Sequence, residues 1–329
     1  MNTRKHQWLR LLGWMAMGFV VIVGGLVIFV YLRFRHDMGE ARERVARESL
    51  IADTACGVIE YADEGSGIPV LMIHGSGGGY DQGLVMGRPL GEGMRLIAPS
   101  RFGYLNTPYP ADASVTAQAD AYVCLMDYLG IERAAVVAMS AGGTSALQFA
   151  QRHPERVESL VMVSAVSNVR PVREVNESTQ AALLTDFVYW AAVTVAPNFV
   201  LEFFGLSRDA QAELTQEELD RARSVLTTMN PLGLRTAGLE HDSNEDNLFT
   251  GATFNLETIS APTLVVHASD DSFIPVVHAE YTAEHIPGAQ LTIYDLGGHF
   301  VLGRNDAILT VREFVQRTHR AGIEVAGPA

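Results

Sequence analysis

The sequence contains very little cysteine. Cys56 and Cys124 are the only two cysteines among 329 residues, and neither belongs to a CxxC motif or to another metal-ligand spacing. We therefore expect neither a zinc site nor a disulfide framework. Cys124 falls in a helical pattern and is interpreted as a buried apolar side chain, so the redox compartment is left undetermined.

Positive charge is also scarce outside the N-terminus. The formal net charge is −14, with +5 on residues 1–36 and −19 on residues 37–329. Nucleic-acid binding requires clustered Lys and Arg side chains that displace phosphate counterions. The acidic body therefore predicts no nucleic-acid partner.

One long uncharged run extends from Leu11 to Leu32. As a helix it would measure roughly 33 Å, close to the ~30 Å hydrocarbon core of a bilayer. We predict that residues 1–36 form a single-pass membrane anchor with basic flanks, in which residues 11–32 cross the membrane. A cleaved signal peptide would have a shorter apolar region that ends in small residues, and a core helix is rarely flanked by bases on both sides.

The side of the membrane on which the body lies is not settled by charge. Three Lys or Arg precede the span and five follow it within fifteen residues, which taken alone favours a cytoplasmic body by a small margin. The next segment, residues 37–56, is predicted to be juxtamembrane. Acids and bases are interspersed there from Glu40 to Glu48, and residues 33–56 are interpreted as a charged helix.

From Gly57 onward, short apolar runs alternate with longer helical patterns, which is typical of a mostly parallel sheet covered by helices. The predicted α/β core comprises residues 57–165 and 260–329. Its predicted strands are Val58–Tyr61, Val70–Ile73, Arg95–Ala98, Ala135–Met139, Val157–Val163, Thr263–His267 and Leu291–Tyr294. Its predicted helices are Ser114–Leu129, Gly142–His153, Val276–His285 and Ile308–His319.

Residues 166–259 are too many for a connection in such a fold, which usually takes ~2–6 residues. Their pattern is helical and rich in aromatic side chains, so we predict a helical cap (lid) inserted into the core. The apolar run Phe187–Leu201 is too short to cross a bilayer and is interrupted by Pro197. The aromatic face is expected to cover the sheet, or alternatively to touch the membrane.

A candidate nucleophile is Ser140, which lies between a strand pattern and a helix pattern. A nucleophilic serine requires a sharp strand-to-helix turn with small residues two positions away on either side. Ala138 and Gly142 satisfy that requirement. A plain turn serine is the alternative, and the pentapeptide alone does not decide between them.

Serine needs a base and an orienting acid, which in this arrangement follow in the order serine, acid, histidine, each after a strand. Asp270 and Asp271 follow the strand Thr263–His267, and His299 lies between Gly298 and Phe300 after the last strand. His299 is therefore the expected base, and one of the two aspartates is the expected acid.

A glycine-rich run from His74 to Gly79 follows the strand Val70–Ile73. Acyl transfer needs backbone N–H donors for the developing oxyanion. We expect one donor from Ser76, or alternatively Gly77, and the other from Ala141. A phosphate-binding loop is the competing interpretation, but neither GxxxxGK[ST] nor GxGxxG occurs.

Taken together, these segments resemble the α/β-hydrolase family, in its branch of serine esterases, haloperoxidases and C–C hydrolases. The resemblance covers residues of about 57–320 and departs from the family pattern at Ala138 and Ala268, where glycine is usual. The matching segments are Ile73–Gly77, Ser100–Tyr104, Met139–Gly143, His153–Val157, Asp271–Pro275 and Gly298–His299.

The resemblance implies that Asp271 is the acid of a Ser140–His299–Asp271 triad. Ser140 would attack a carbonyl, the N–H groups of Ser76 and Ala141 would hold the oxyanion, and water would hydrolyse the acyl-enzyme. No metal and no organic cofactor is implied.

The expected reaction is hydrolysis of a carboxylic ester of a small to medium apolar substrate. A C–C hydrolase, for which Arg101 could hold a substrate carboxylate, and a cofactor-free perhydrolase are alternatives within the family. A non-catalytic ligand-binding or signalling protein is an alternative of another class, although such proteins usually lack a triad residue. The oligomeric state is not predicted.

Overall fold

The computed structural model describes residues 2–167, 185–243, 249 and 253–326. The chain begins with one long helix, α1 (Asn2–Arg47). Within Leu12–Arg47 this helix is long and apolar enough to cross a membrane, with a mean hydropathy of 2.6 in a window of which 0% is buried. A signal sequence passes the same test. The C-terminal turns of α1 differ from its exposed apolar segment, because Met38, Ala41 and Val45 are buried against the body.

The body contains one eight-stranded sheet with the strand order β1-β2-β4-β3-β5-β6-β7-β8. β1 and β2 pair antiparallel and β2 pairs antiparallel with β4, whereas the other neighbours pair in parallel. The strands are β1 Leu50–Thr54, β2 Gly57–Gly65, β3 Ile68–Ile73, β4 Met94–Pro99, β5 Ala134–Met139, β6 Val157–Val163, β7 Thr263–Ala268 and β8 Gln290–Tyr294.

Helices cover both faces of the sheet, because successive strand residues point to opposite sides. On β5, Val136 packs with α3 (Val115–Tyr128), α4 (Gly142–Arg152) and α10 (Val277–His285). The next residue, Val137, packs on the other face with α2 (Tyr80–Gly87) and α11 (Asn305–Ala326). The α/β fold predicted from the alternating patterns is present.

The predicted juxtamembrane helix over residues 33–56 is wrong in its second half. α1 ends at Arg47, and β1 pairs with β2, with Leu50 opposite Tyr61. The cause is a hairpin partner that lies later in the chain, since strand formation here depends on pairing and not on local propensity. The short helix α2 was also not predicted, because its eight residues include two glycines.

The expectation of no disulfide is also wrong. Cys56, in the turn between β1 and β2, is bonded to Cys124 on α3, with a Cα–Cα distance of 6.0 Å, inside the usual range for disulfides. Cys56 is exposed and Cys124 is half-buried, so Cys124 is not core filler. The two residues are 68 positions apart, and the packing of the hairpin over α3 brings them together.

Among the described residues between β6 and β7, where the cap was predicted, there are five α-helices. They are α5 Asp186–Val195, α6 Pro197–Phe203, α7 Arg208–Glu213, α8 Gln216–Thr228 and α9 Thr236–Ser243. Pro197 occupies the first turn of α6, where its missing N–H costs no hydrogen bond. Residues 168–184, 244–248 and 250–252 of the predicted cap lie outside the described residues.

The aromatic side chains of this segment do not share one face. Phe204 contacts Phe273 of the core, with ring centroids 5.5 Å apart. Tyr189 is buried within the helical segment itself, whereas Phe187 and Phe199 are exposed. The helices α5–α9 therefore cover the sheet with only part of their aromatic surface.

Candidate active site

Ser140 lies in the turn between β5 and α4, in a left-handed backbone conformation with φ of 49°. This conformation is unfavourable for a non-glycine residue and persists only where the surroundings enforce it. Here the Ser140 N–H donates to the Val163 carbonyl at 3.3 Å, and its carbonyl accepts from the N–H groups of Gly143 and Val166 at 3.0 and 2.9 Å. The β5–α4 turn therefore holds a strained serine at the carboxyl edge of the sheet.

Two glycines make this arrangement possible. A Cβ atom on Gly142 would lie 2.6 Å from the His74 carbonyl oxygen, and one on Gly75 would lie 2.8 Å from the Ser140 Cβ atom. Both separations are shorter than real Cβ contacts. The glycine-rich loop after β3 thus passes directly against the serine turn, and any larger residue at either position would push the two apart.

Asp271 and His299 are joined directly. The distance from His299 Nδ1 to Asp271 Oδ2 is 3.0 Å, and Asp271 Oδ1 accepts from the N–H groups of Phe273 and Ile274 at 2.9 Å each. Asp270 points elsewhere, accepting from the Gly298 N–H at 2.7 Å. The structure therefore places Asp271, and not Asp270, beside the histidine.

The environment of Asp271 favours its charged form. Burial acts to raise the pKa of this carboxyl group, but the attraction of His299, its hydrogen bond and the backbone N–H donors outweigh burial and hold the pKa below its usual value. His267 lies 3.6 Å from the same carboxylate. Burial lowers the pKa of His267, whose Nε2 lies 3.0 Å from the Ile274 carbonyl oxygen, as expected for a neutral structural side chain.

Ser140 and His299 are not hydrogen-bonded to each other in the described part of the chain. The two sides of the site nevertheless meet through apolar contacts. Ala141 belongs to a small buried cluster with Ile274, against which Phe273 packs, and the Phe273 ring centroid is 5.0 Å from that of His299. Nucleophile–base hydrogen bonds are often long before substrate binds and tighten afterwards.

The loop after β3 distinguishes the two candidate oxyanion donors. The Gly77 N–H is already engaged with the Tyr104 hydroxyl at 3.3 Å. The N–H groups of Ser76 and Ala141 have no acceptor among the described residues. Ser76 is thus the loop residue whose N–H is available to a ligand, together with Ala141 at the start of α4.

His74 shapes this loop and cannot act as a base. It is completely buried, with Nδ1 2.7 Å from the Gly75 carbonyl oxygen and Nε2 accepting from the Arg101 N–H at 2.9 Å. Burial and the nearby Arg101 charge lower the pKa of His74 to about 3. Its ring is therefore neutral and occupied by backbone groups on both sides.

A buried charge network that sequence reasoning missed joins the loop to the cap. Arg101 forms two hydrogen bonds with Asp242 of α9, at 2.9 and 2.6 Å. The same carboxylate accepts from the Ser76 and Tyr104 hydroxyls at 2.9 and 2.6 Å. No motif marks Asp242, because its partners come from other parts of the chain; the Arg101 that follows β4 was the available signal.

A second buried pair connects the same loop to α1. Arg235 is fully buried and binds Asp81 at 2.7 Å, while a further nitrogen of Arg235 donates to the Gly78 carbonyl. Arg44 of α1 lies 3.7 Å from Asp81 and donates to the Asn230 carbonyl at 2.6 Å. Arg235 of the cap therefore holds the glycine-rich loop directly, and the N-terminal helix is linked to it through Asp81 at the start of α2.

Comparison with known proteins agrees with this fold. A sequence profile for the alpha/beta hydrolase fold matches residues 68–306. An uncharacterised hydrolase, YcgS, from Bacillus subtilis is 28% identical over 76% of this chain and 92% of its own. A 2-hydroxymuconate semialdehyde hydrolase from Pseudomonas putida is 30% identical over 72% of this chain and 83% of its own.

Among solved structures, an alpha/beta hydrolase fold protein from Nakamurella multipartita superposes with a TM-score of 0.69. It is 31% identical and covers 84% of this chain and 100% of its own. The chain belongs to the α/β-hydrolase family, so the fold and family predicted from the sequence are confirmed. It is a hydrolase of that fold.

Proposed function

We propose that the protein is a membrane-anchored serine hydrolase that cleaves carboxylic esters of small to medium apolar molecules. Ser140 is the nucleophile, His299 the general base and Asp271 the acid that orients the base. The observation that carries this proposal is the His299–Asp271 hydrogen bond of 3.0 Å, at the same sheet edge as a serine held at φ 49°.

The reaction follows from these groups. His299 takes the Ser140 proton on Nε2 while the serine oxygen attacks the ester carbonyl, because Asp271 holds Nδ1–H and stabilises the positive ring. The N–H groups of Ser76 and Ala141 hold the oxyanion, each donor being worth ~2.7–4 kcal/mol. His299 then protonates the leaving alcohol, and a water activated by the same ring releases the acid.

The surroundings favour an apolar ester. Phe204 from the cap and Phe273 from the core form an aromatic wall that ends at His299. A C–C hydrolase is the second candidate, supported by the similarity to the Pseudomonas putida enzyme. Arg101, the cation that reaction would need, is buried and already neutralised by Asp242, which favours the ester.

We also propose that α1 is a retained membrane anchor. The helix continues without interruption from the apolar segment into the body, where Met38 and Ala41 pack around Trp190 of α5. These contacts support a helix that is part of the mature protein. A cleaved signal peptide would not share one helix with the folded domain.

The proposal can be tested on the full-length protein in detergent micelles. A fluorophosphonate probe should label the wild type and hydrolysis of p-nitrophenyl esters should be measurable, with both lost in Ser140→Ala. Ser164→Ala is a matched control, because Ser164 is also buried and has a positive φ of 42° and should keep both activities. Labelling without ester turnover would support the C–C hydrolase, and a folded protein without labelling would refute the serine hydrolase.

A further inference from the structure

The cap carries exposed apolar side chains along α5 and in the first turn of α6. Four of its side chains are exposed: Phe187 by 47%, Val188 by 40%, Val195 by 83% and Phe199 by 63%. The chain has no charged residue from Phe187 to Leu201. We call these four residues the cap corner. Large exposed apolar side chains on a segment without charge indicate an interaction site.

The position of the cap corner is given by its contacts with α1. The Phe34 ring lies 5.3 Å from the rings of both Phe187 and Trp190. Phe34 is two residues beyond Leu32, where the apolar segment ends, which corresponds to about 3 Å along a helix axis. Phe187 therefore lies at the depth where the proposed span leaves the hydrocarbon.

The direction of α5 places its end closer still to the membrane. Near the start of α5, Asp186 pairs with Arg42 at 3.5 Å. Further along α5, Ala191 packs in the cluster that also contains Val30, which belongs to the apolar segment itself. α5 thus runs antiparallel to α1, towards the span, and Val195 lies at its far end.

We infer that the cap corner is a second membrane contact, inserted into the interfacial layer of the leaflet from which α1 emerges. Its partner is the lipid bilayer. Aromatic and aliphatic side chains without charge are favoured at that depth, and the continuity with α1 holds them there. The inference rests on the proposed anchor, but not on the proposed ester chemistry.

The test uses full-length protein in phospholipid nanodiscs, with one environment-sensitive fluorophore on an introduced cysteine. Both native cysteines are bonded to each other, so only the new thiol reacts. Val195→Cys and Phe199→Cys are the test positions, and Val20→Cys reports the span. Tyr128→Cys is the matched control, since Tyr128 is 52% exposed and lies away from the cap corner. Its ring packs on that of Tyr61, and Tyr61 is the strand partner of Leu50, which follows the end of α1.

We expect the fluorophore at residues 195 and 199 to emit at shorter wavelength than at residue 128. We also expect this fluorescence to be quenched more by lipids that carry a quencher near the headgroup than by lipids that carry it at the end of the acyl chain. Water-like emission without quenching at 195 and 199, with a quenched signal at residue 20, would overturn the inference and leave the anchor intact. An unquenched signal at residue 20 would overturn both.

A second copy of the chain is the competing occupant of the cap corner. Self-association would give blue-shifted emission without lipid quenching, and the shift would disappear in nanodiscs that hold a single copy. That outcome would also overturn the inference. Ester turnover measured on the same samples tests the proposed function separately.

A different observation, the Cys56–Cys124 disulfide, bears on which side of the membrane the body lies. One partner is exposed and the other half-buried, so the bond is open to reduction by a thiol buffer. Disulfides persist in oxidising compartments. We infer that the body lies on the extracytoplasmic side, opposite to the orientation that the Lys and Arg count alone favours.

This orientation can be tested in bacterial spheroplasts that produce the full-length chain. We expect a membrane-impermeant maleimide to modify the protein only after treatment with an impermeant reductant, with two cysteines then modified. Free thiols that react only after the cells are permeabilised would place the body in the cytoplasm and overturn the inference.

Discussion

The pair formed by Arg101 and Asp242 offers a sharp test of how the site is held together. In Asp242→Asn the guanidinium of Arg101 stays buried, at 6% side-chain exposure, and loses its counter-charge. Removing one partner of a buried ion pair costs ~3–5 kcal/mol, because a buried charge is left uncompensated. At ~2–4 °C per kcal/mol, the melting temperature should fall by roughly 6–20 °C.

The double variant Arg101→Met with Asp242→Asn should recover much of that loss. Replacing both charges leaves no unpaired ion, and the long apolar side chain of methionine fills part of the space of Arg101. The assay is chemical denaturation of both single variants, the double variant and the wild type, combined as a double-mutant cycle. Losses that simply add would refute the reasoning, because independent side chains give no coupling energy.

The same cycle bears on the substrate. If Arg101 instead held a substrate carboxylate, Arg101→Met would lower kcat/KM with little effect on stability.

Asp242 also makes the stability of the protein depend on pH. Burial acts to raise its pKa, but Arg101 and the hydroxyl donors hold the pKa of Asp242 below the usual value. Its contribution to stability is therefore present above the unfolded value of ~3.9 and is lost as the pH falls through the lower folded value.

Three further predictions concern other parts of the molecule. In Cys56→Ala the unfolded chain is released from a constraint on 68 residues, so the free energy of unfolding should fall by up to about 4 kcal/mol. In urea titrations the reduced wild type should match this variant. An unchanged midpoint for both would show that the disulfide contributes nothing to stability. Trp190→Ala should cost about 3 kcal/mol, because Trp190 joins α5 to α1 and is only 6% exposed; Trp190→Phe should retain most of this packing, and equal losses for both variants would point to the Asp37 hydrogen bond instead. Asp271→Asn should lower kcat on the order of 10⁴-fold with fluorophosphonate labelling slowed in parallel, whereas undiminished turnover would assign the orienting role elsewhere.

Much of the fold follows from local patterns. The seven predicted strands all correspond to strands of the sheet, and the four predicted helices of the core correspond to α3, α4, α10 and α11. The central strands β5, β6 and β7 are almost entirely buried and are therefore written as short continuous apolar runs. β1 and β8 lie at the two edges of the sheet and have exposed residues, and β1 was missed because it forms by pairing with β2.

In the candidate triad, too, local patterns mark some residues and only the tertiary structure distinguishes others. Ser140 and His299 are marked by small neighbours and by their places after strands. Asp270 and Asp271 are adjacent, so the family pattern alone separated them in the sequence. In the structure the backbone turn after β7 directs Asp271 to His299 and Asp270 to Gly298.

The sequence by itself determined what depends on neighbours along the chain: the apolar N-terminal helix, the alternation of strands and helices, and the turn that presents Ser140. Tertiary structure alone decided what depends on residues far apart. The Cys56–Cys124 bond, the Arg101–Asp242 pair and the cap corner beside Phe34 all join segments whose separate patterns carry no sign of each other. Local propensity and periodicity act over a few residues, whereas these contacts form only when packing of the whole sheet and cap sets the distances.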